Sequence, residues 1–245
     1  MSWFKKKVSL QFFNTMQGVE VSMPVIPANQ LQYEWKKNAA KEYSELKNKT
    51  PGNFVASSSN CPGINLFHNQ GWIIRAWQDI FIEASDKNNF MWNTPISQKD
   101  FSGEETISVH GHDRIKHFNN WPEFAYNGFI KINTGWKCVV PKGFVLYQLP
   151  AFYCDEDRFM AVPGCYSPDY GLAEINVPFY WYKMGAPCVI KAGTPLVHLI
   201  LVPEEKYNFS ITKPDHEKLR LQHLIFYNAF VRNYKDIKNF FRSKN

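Results

Sequence analysis

Three histidines are the residues whose types and spacing point most directly to chemistry. His110 and His112 are separated by a single glycine, and His198 lies in a later apolar run. Alternate residues of a β-strand project from the same face, so the first two imidazoles could ligate one metal ion, with His198 as a distant third ligand. Residues 115–117, where a carboxylate ligand would be expected next, contain none. The alternative interpretation is that these are ordinary loop histidines.

Residues 154–157, Cys-Asp-Glu-Asp, place three carboxylates side by side. Such a run could hold a hard cation, but loops that bind these ions usually alternate their ligands with spacers and a glycine. We therefore interpret the segment as the solvated tip of a β-hairpin.

The sequence lacks the motifs of several enzyme classes. It contains no G-x-S-x-G, no G-x-x-x-x-G-K-[ST] and no G-x-G-x-x-G pattern, which disfavours acyl transfer and P-loop nucleotide chemistry. The five cysteines are odd in number and include no C-x-x-C pair, so we interpret them as buried thiols in a reducing cytosol. We expect no cofactor.

Strands must position most of these residues, because residues 52–210 are rich in aromatic and β-branched side chains and are interrupted by proline and glycine. The predicted strands are Trp72–Arg75, Ile80–Ala84, Ile107–His110, Phe129–Ile132, Cys138–Val140, Phe144–Leu149, Ala173–Val177, Cys188–Ile190 and Leu196–Val202. This pattern predicts a mainly β fold, with a β-sandwich, jelly-roll or β-clip-like core. The similar segments Asn69-Gln-Gly-Trp72 and Asn133-Thr-Gly-Trp136 either mark paired hairpins or arise by chance.

Both ends of the chain predict helices. After an extended segment over 8–27, apolar residues recur at helical spacing over about 30–48, with Asn29 as the N-cap. A second apolar stripe over about 214–242 predicts a long amphipathic helix that carries most of the net charge of +6. We expect one structural domain in three parts: 1–51, with its helix packed on the core, 52–211 and 212–245. The basic end could bind nucleic acid, but a solvated helix face is the commoner case, and we expect neither nucleic acid nor a membrane as partner.

The stretch from Trp136 to Pro203 contains the motifs Pro141-Lys-Gly143, Pro163-Gly-Cys-Tyr-Ser-Pro-Asp-Tyr170, Ala173-Glu-Ile-Asn-Val177 and Ile190–Leu199. In this order they resemble the β-clip core of the trimeric dUTPase and dCTP deaminase family. The resemblance implies a homo-oligomer, with a trimer favoured, and a small-molecule pocket around the Pro163-Gly164 turn. Its candidate ligand-binding residues are Ser167, Asp169, Tyr170 and Glu174.

Two departures from that family disfavour dUTP hydrolysis. Ser167 stands where the family has the aspartate that activates the attacking water, and a serine is no base at neutral pH. After Pro150, the carboxylates of Asp155, Glu156 and Asp157 stand where the family binds phosphates, and they would repel a triphosphate.

A second set of short motifs is spread along the chain. It consists of Pro24-x-x-Pro27-Ala, Cys61-Pro62, Gly71-Trp72, Trp77-x-Asp79, Pro163-Gly164 and Gly193-Thr-Pro-Leu196. In these the sequence resembles a family of uncharacterised proteins from marine tailed phages and some bacteria. The resemblance implies a phage-encoded protein, located in the cytoplasm of an infected bacterium or in the virion.

Together these observations favour a non-catalytic, β-rich binding or assembly protein that forms a homo-oligomer and contacts a small molecule or a host or phage protein. A diverged nucleotide-like pocket is one form of this hypothesis. The alternative is an enzyme, either a diverged nucleotide hydrolase or a jelly-roll metal-dependent oxygenase that uses His110, His112 and His198.

Overall fold

The computed structural model describes residues 8–49, 57–96, 105–118, 121–205, 207–211, 213, 215–217 and 219–222. These residues fall into two compact units. The first contains the chain up to Leu31 together with Gln70–Glu205, and the second contains Gln32–Asn69 and the described residues after Glu205.

The first unit is built from strands, which confirms the prediction of a mainly β fold. The strands are β1 (Gln11–Asn14), β2 (Ile26–Pro27), β3 (Trp72–Arg75), β4 (Ile80–Ala84), β5 (Phe90–Asn93), β6 (Ile107–His110), β7 (Phe129–Val139), β8 (Phe144–Pro150), β9 (Phe159–Ala161), β10 (Gly164–Tyr166), β11 (Leu172–Trp181), β12 (Cys188–Ile190) and β13 (Pro195–Pro203). Two short helices, α1 (Val19–Ser22) and α4 (His112–Ile115), belong to the same unit.

The strands form three antiparallel sheets. The first sheet has the order β1-β7-β11-β9, with β6 also paired to β7. The second has the order β10-β8-β13-β3-β2, and the third has the order β12-β4-β5. Consecutive strands β8 and β9 therefore lie in different sheets.

Strand β11 shows why this sequence forms a buried sheet. Its residues alternate between buried and more exposed along the whole strand, and Ile175, Phe179 and Trp181 are among the largest fully buried side chains. They join one hydrophobic cluster with residues of the second and third sheets, such as Leu199 and Ile82. Burial of a side chain of this size contributes roughly 1.5–3 kcal/mol, so this alternation fixes which face of the strand points inward.

A β-bulge interrupts the pairing of β7 with β11. The register shifts between Glu174 and Asn176, and Gly135 on β7 adopts a left-handed φ of 69°. The side chain of Thr134 donates a hydrogen bond of 2.6 Å to the Ile175 carbonyl, and Asn133 accepts one from the Gly135 amide at 2.9 Å. These polar side chains satisfy the backbone groups that a bulge would leave unpaired, so β7 continues as one strand.

The second unit contains α2 (Glu34–Lys49) and α3 (Pro62–His68). The predicted N-terminal helix is confirmed, but it begins at Glu34, because Ala28–Gln30 forms a 3-10 turn and Leu31 is extended. Asn29 is therefore not its N-cap. Helix α3 was not predicted, since seven residues are too few to show a helical period.

At the end of the second unit, residues 216, 217 and 219–222 are helical. Most of the predicted amphipathic helix over 214–242 lies outside the described residues. No helix in the described part of the chain is long and apolar enough to cross a membrane.

Replacement of Gly71 tests a close backbone approach at the start of β3. Gly71 has a φ of +75°, and an added Cβ would lie 1.9 Å from the Leu199 carbonyl oxygen. We expect Gly71→Ala to lower the free energy of unfolding by about 3 kcal/mol, the sum of left-handed strain and a backbone clash. Urea denaturation followed by tryptophan fluorescence measures this loss.

Gly143→Ala is the matched control, because Gly143 has a φ of +81° and no atom within 4 Å of the added Cβ. This variant has the left-handed strain without the clash, so its free energy of unfolding should fall by about 1–2 kcal/mol. Equal losses of unfolding free energy in the two variants would show that the close approach of Gly71 to Leu199 does not restrict the residue at this position.

Candidate functional site

The loop between β8 and β9, residues Ala151–Arg158, connects the second sheet to the first. The predicted hairpin tip at residues 154–157 is therefore wrong, because the strands on either side of the loop do not pair with each other. Tyr153 and Asp155 adopt left-handed φ values of 63° and 58°. Each such residue costs roughly 1–2 kcal/mol, so other interactions must hold the loop in this conformation.

The ion pair between Glu156 and Arg158 is one such interaction. Nε of Arg158 donates to one carboxylate oxygen of Glu156 at 2.8 Å, and Nη2 donates to the other at 2.5 Å. Nη1 of Arg158 donates to the Val189 carbonyl of β12, which anchors the loop to the third sheet. The Glu156 side chain is only 7% exposed, and its hydrogen bonds raise the pKa of the Arg158 guanidinium. Glu156 is thus a structural carboxylate and not part of a solvated tip.

A cleft of about 500 Å³ lies beside this loop. The lining residues come from the end of β8, from the loop, from β9, from the start of β13 and from the position directly after β11. They are Pro150, Ala151, Phe152, Tyr153, Cys154, Asp155, Glu156, Asp157, Phe159, Met160, Ala161, Tyr182, Pro195 and Leu196. Buried Phe159, Ala161 and Leu196 form an apolar floor, whereas the loop residues bring aromatic rings and carboxylates.

Cys154 is the thiol in the lining of this cleft. Burial raises the pKa of the Cys154 thiol; a hydrogen bond with the Glu156 backbone opposes this shift, and the charges of Glu156 and Asp155 add to it. The thiol therefore stays protonated near neutral pH and is a poor nucleophile.

The residues predicted around the Pro163-Gly164 turn lie apart from the lining of the cleft. Ser167 caps the 3-10 turn Pro168–Tyr170, and its Oγ accepts a hydrogen bond from the Asp169 amide at 3.3 Å. The structure places Asp169 and Tyr170 on this turn with exposed side chains. Glu174 instead forms an ion pair with Lys137, its partner in the register of β7 and β11, at 2.5 Å. The turn thus gathers three of the four residues.

The structure does not bring together the three histidines that were considered as metal ligands. Strand β6 ends at His110, and His112 begins α4 after Gly111, so the two side chains do not share a strand face. His198 lies buried on β13, where its Nε2 is 2.6 Å from the Gln70 carbonyl oxygen. The described residues contain no group of three or more histidine, cysteine, aspartate or glutamate side chains that could hold a metal ion.

Sequence reasoning missed the cleft, because its walls come from segments far apart in the chain. Pro195 and Leu196 were predicted as part of a motif and of a strand start, without a role in a site, and Met160 and Tyr182 were assigned no role. A local signal existed in Glu156 and Arg158, whose opposite charges two residues apart in a loop permit a bidentate pair.

Comparison with known proteins finds only weak structural similarity in the neighbour described here. No family model matches the chain, and no curated protein matches its sequence. Among solved structures, the chain is similar to a mutant dUTPase from phage phi11 of S. aureus, with a TM-score of 0.34 and 9% sequence identity over 85% of this chain and 97% of that chain. A likeness this weak supports no inference about function. The resemblance to proteins of marine tailed phages stays a prediction.

The burial of His198 makes stability depend on pH. Burial lowers the pKa of His198, although the Gln70 carbonyl opposes this shift. The unfolded chain therefore binds the proton more readily, so the free energy of unfolding should fall as the pH drops below about 6.5. Urea denaturation between pH 5.5 and 8 measures the slope.

His198→Gln keeps a hydrogen-bond donor beside the Gln70 carbonyl and removes the titrating group, so it should reduce the slope. Burial also lowers the pKa of His110, so His110→Gln should remove another part of the slope. An equal slope in His198→Gln and in the wild type would assign the pH dependence to other groups.

Proposed function

We propose that this chain is a non-catalytic protein that binds a small molecule in the cleft beside the Ala151–Arg158 loop and acts as a homo-oligomer. The observation that carries the proposal is the cleft itself, with a volume of about 500 Å³, an apolar floor and a polar rim. Ligand sites in proteins typically have volumes of about 300–1,000 Å³ and combine apolar walls with a few polar groups.

The anchored loop supports binding by a site that is already formed. The pair between Glu156 and Arg158 and the hydrogen bond from Arg158 to Val189 hold the loop through the protein's own groups. A site that does not have to order a loop on binding retains more of its contact energy as affinity.

The chemistry of the lining favours binding over turnover. The Cys154 thiol has a raised pKa, and Glu156 is occupied by Arg158. Covalent catalysis requires an activated nucleophile, whereas burial of Cys154 keeps its thiol protonated and less nucleophilic.

Ala151→Trp tests the site by filling it. Ala151 lines the cleft and is half-buried, so an indole there should occupy the space of a ligand. Affinity-selection mass spectrometry with a library of ring-containing small molecules should capture ligands on the wild type and lose them on Ala151→Trp. The free energy of unfolding should change by no more than about 1 kcal/mol.

Ala186→Trp is the control, since Ala186 is exposed and lies outside the lining of the cleft. It should retain every ligand that the wild type captures. Ligands that bind Ala151→Trp as well as the wild type would place the binding site elsewhere, and a wild type that captures none would refute the proposal.

A second observation favours self-association, for which a trimer is expected. Among the described residues, β11 pairs with β7 on one side over Leu172–Val177, and β9 pairs with its other side from Phe179 onward. Tyr170 and Leu172 are 64% and 53% exposed beside this edge. Unpaired strand edges with apolar neighbours favour pairing with another chain. In this proposal the turn of Ser167, Asp169 and Tyr170 contacts a second copy, together with nearby Glu174.

Leu172→Lys tests this interface, because a lysine on a strand edge opposes pairing with another chain. Native mass spectrometry should show an oligomer for the wild type and a dissociation constant raised at least about tenfold for Leu172→Lys. Met91→Lys, at an exposed position on β5 in the third sheet, is the control and should leave the oligomer intact. A monomeric wild type, or an oligomer that Leu172→Lys leaves intact, would refute this interface.

A further inference from the structure

The cleft beside the Ala151–Arg158 loop presents aromatic rings at its rim. Phe152 and Tyr153 are 46% and 51% exposed, with their ring centroids 6.3 Å apart and the rings inclined by 55°. Tyr182 adds a ring from the position directly after β11. Its ring contacts Tyr180, which stacks on it at 6.5 Å, and Phe124 at 5.1 Å. Exposed ring faces of this kind attract apolar groups and cations.

The same rim carries negative charge. Asp155 and Asp157 are exposed and line the cleft, whereas the charge of Glu156 is balanced by Arg158. Among the described residues, Asp155 forms no ion pair. Asp157 also borders a neighbouring hollow that is lined by Arg158 and Lys183, so its charge is partly balanced there.

Positive charge is missing from the lining itself. None of the described residues that line the cleft is a lysine, an arginine or a histidine. The guanidinium of Arg158 is turned toward Glu156 and the Val189 carbonyl. An anionic ligand would therefore find no cationic partner in the lining, and Asp155 would repel it.

From these observations we infer that the ligand of this cleft is a small organic cation with an apolar body; the inference rests on the proposed function. The apolar part would cover the floor of Phe159, Ala161 and Leu196. The cationic part would lie at the rim, between the aromatic rings and Asp155. A neutral ring would use only the floor, and an anion would be excluded, so charge is the property that separates the ligand classes.

Three probes that share a phenyl ring and differ in charge test the inference. They are benzyltrimethylammonium, benzyl alcohol and benzoate, titrated by isothermal calorimetry into the full chain at low salt. We expect the cation to bind at least about tenfold more tightly than the alcohol, and benzoate to bind more weakly than both. Hydrogen exchange should show protection of residues 151–161 by the cation.

Two aspartate variants assign the charge selectivity to the cleft. Asp155→Asn should weaken binding of benzyltrimethylammonium about three- to fivefold and leave the affinity for benzyl alcohol unchanged. Asp113→Asn removes an exposed carboxylate from the short helix α4, outside the lining of the cleft, and should change neither affinity. Added salt should reproduce part of the loss in Asp155→Asn.

The outcomes separate this inference from the proposed function. If benzyl alcohol binds as tightly as the cation and Ala151→Trp abolishes the binding of both, the cleft is a ligand site but the inferred preference for cations is wrong. If benzoate binds most tightly, the inference is likewise overturned. If no probe protects residues 151–161 and the library also yields no ligand that Ala151→Trp loses, both proposals fall.

Discussion

The loop between β8 and β9 must cross from one sheet to another, and the cleft depends on this crossing. The bidentate pair of Glu156 with Arg158 gives the crossing a fixed path, and the bond from Arg158 to Val189 ties it to a third sheet. Hydrogen bonds between charged groups are roughly twice as strong as neutral ones, which helps to offset the left-handed backbone at Tyr153 and Asp155. One short segment therefore connects all three sheets.

The sequence predicts strands well where burial alone decides the structure. Ile80–Ala84 and Cys188–Ile190 have the predicted bounds, because their apolar residues need a core on at least one face. Phe129–Ile132 and Cys138–Val140 were predicted as separate strands, but the structure has one strand over Phe129–Val139. Asn133-Thr-Gly135 forms a bulge inside it, because the Asn133 and Thr134 side chains bind the Ile175 carbonyl and neighbouring amides. The repeated Asn-x-Gly-Trp pattern shares a left-handed glycine at Gly71 and Gly135.

The candidate site was harder to predict than the fold, because its geometry is set by contacts distant in sequence. From the sequence, the three adjacent carboxylates at residues 155–157 are expected to be equally exposed to solvent. In the structure, Glu156 is buried against the guanidinium of Arg158, whereas Asp155 is exposed. The two-residue spacing of His110 and His112 indicates a shared face only if the strand continues through both. Strand β6 ends at His110, and the histidines themselves do not indicate where the strand ends.

Strand β13 occupies the centre of the second sheet, between β8 and β3, although it follows both in the chain. A ribosome completes β3 and β8 before it makes the strand that pairs with both. At about 5–20 residues per second, the wait after β8 lasts several seconds. During that time β3 and β8 present backbone groups that β13 will later pair, beside side chains that later become core. Synthesis is therefore the stage at which aggregation competes most directly with folding, and a chaperone that shields these two edges would act before β13 emerges.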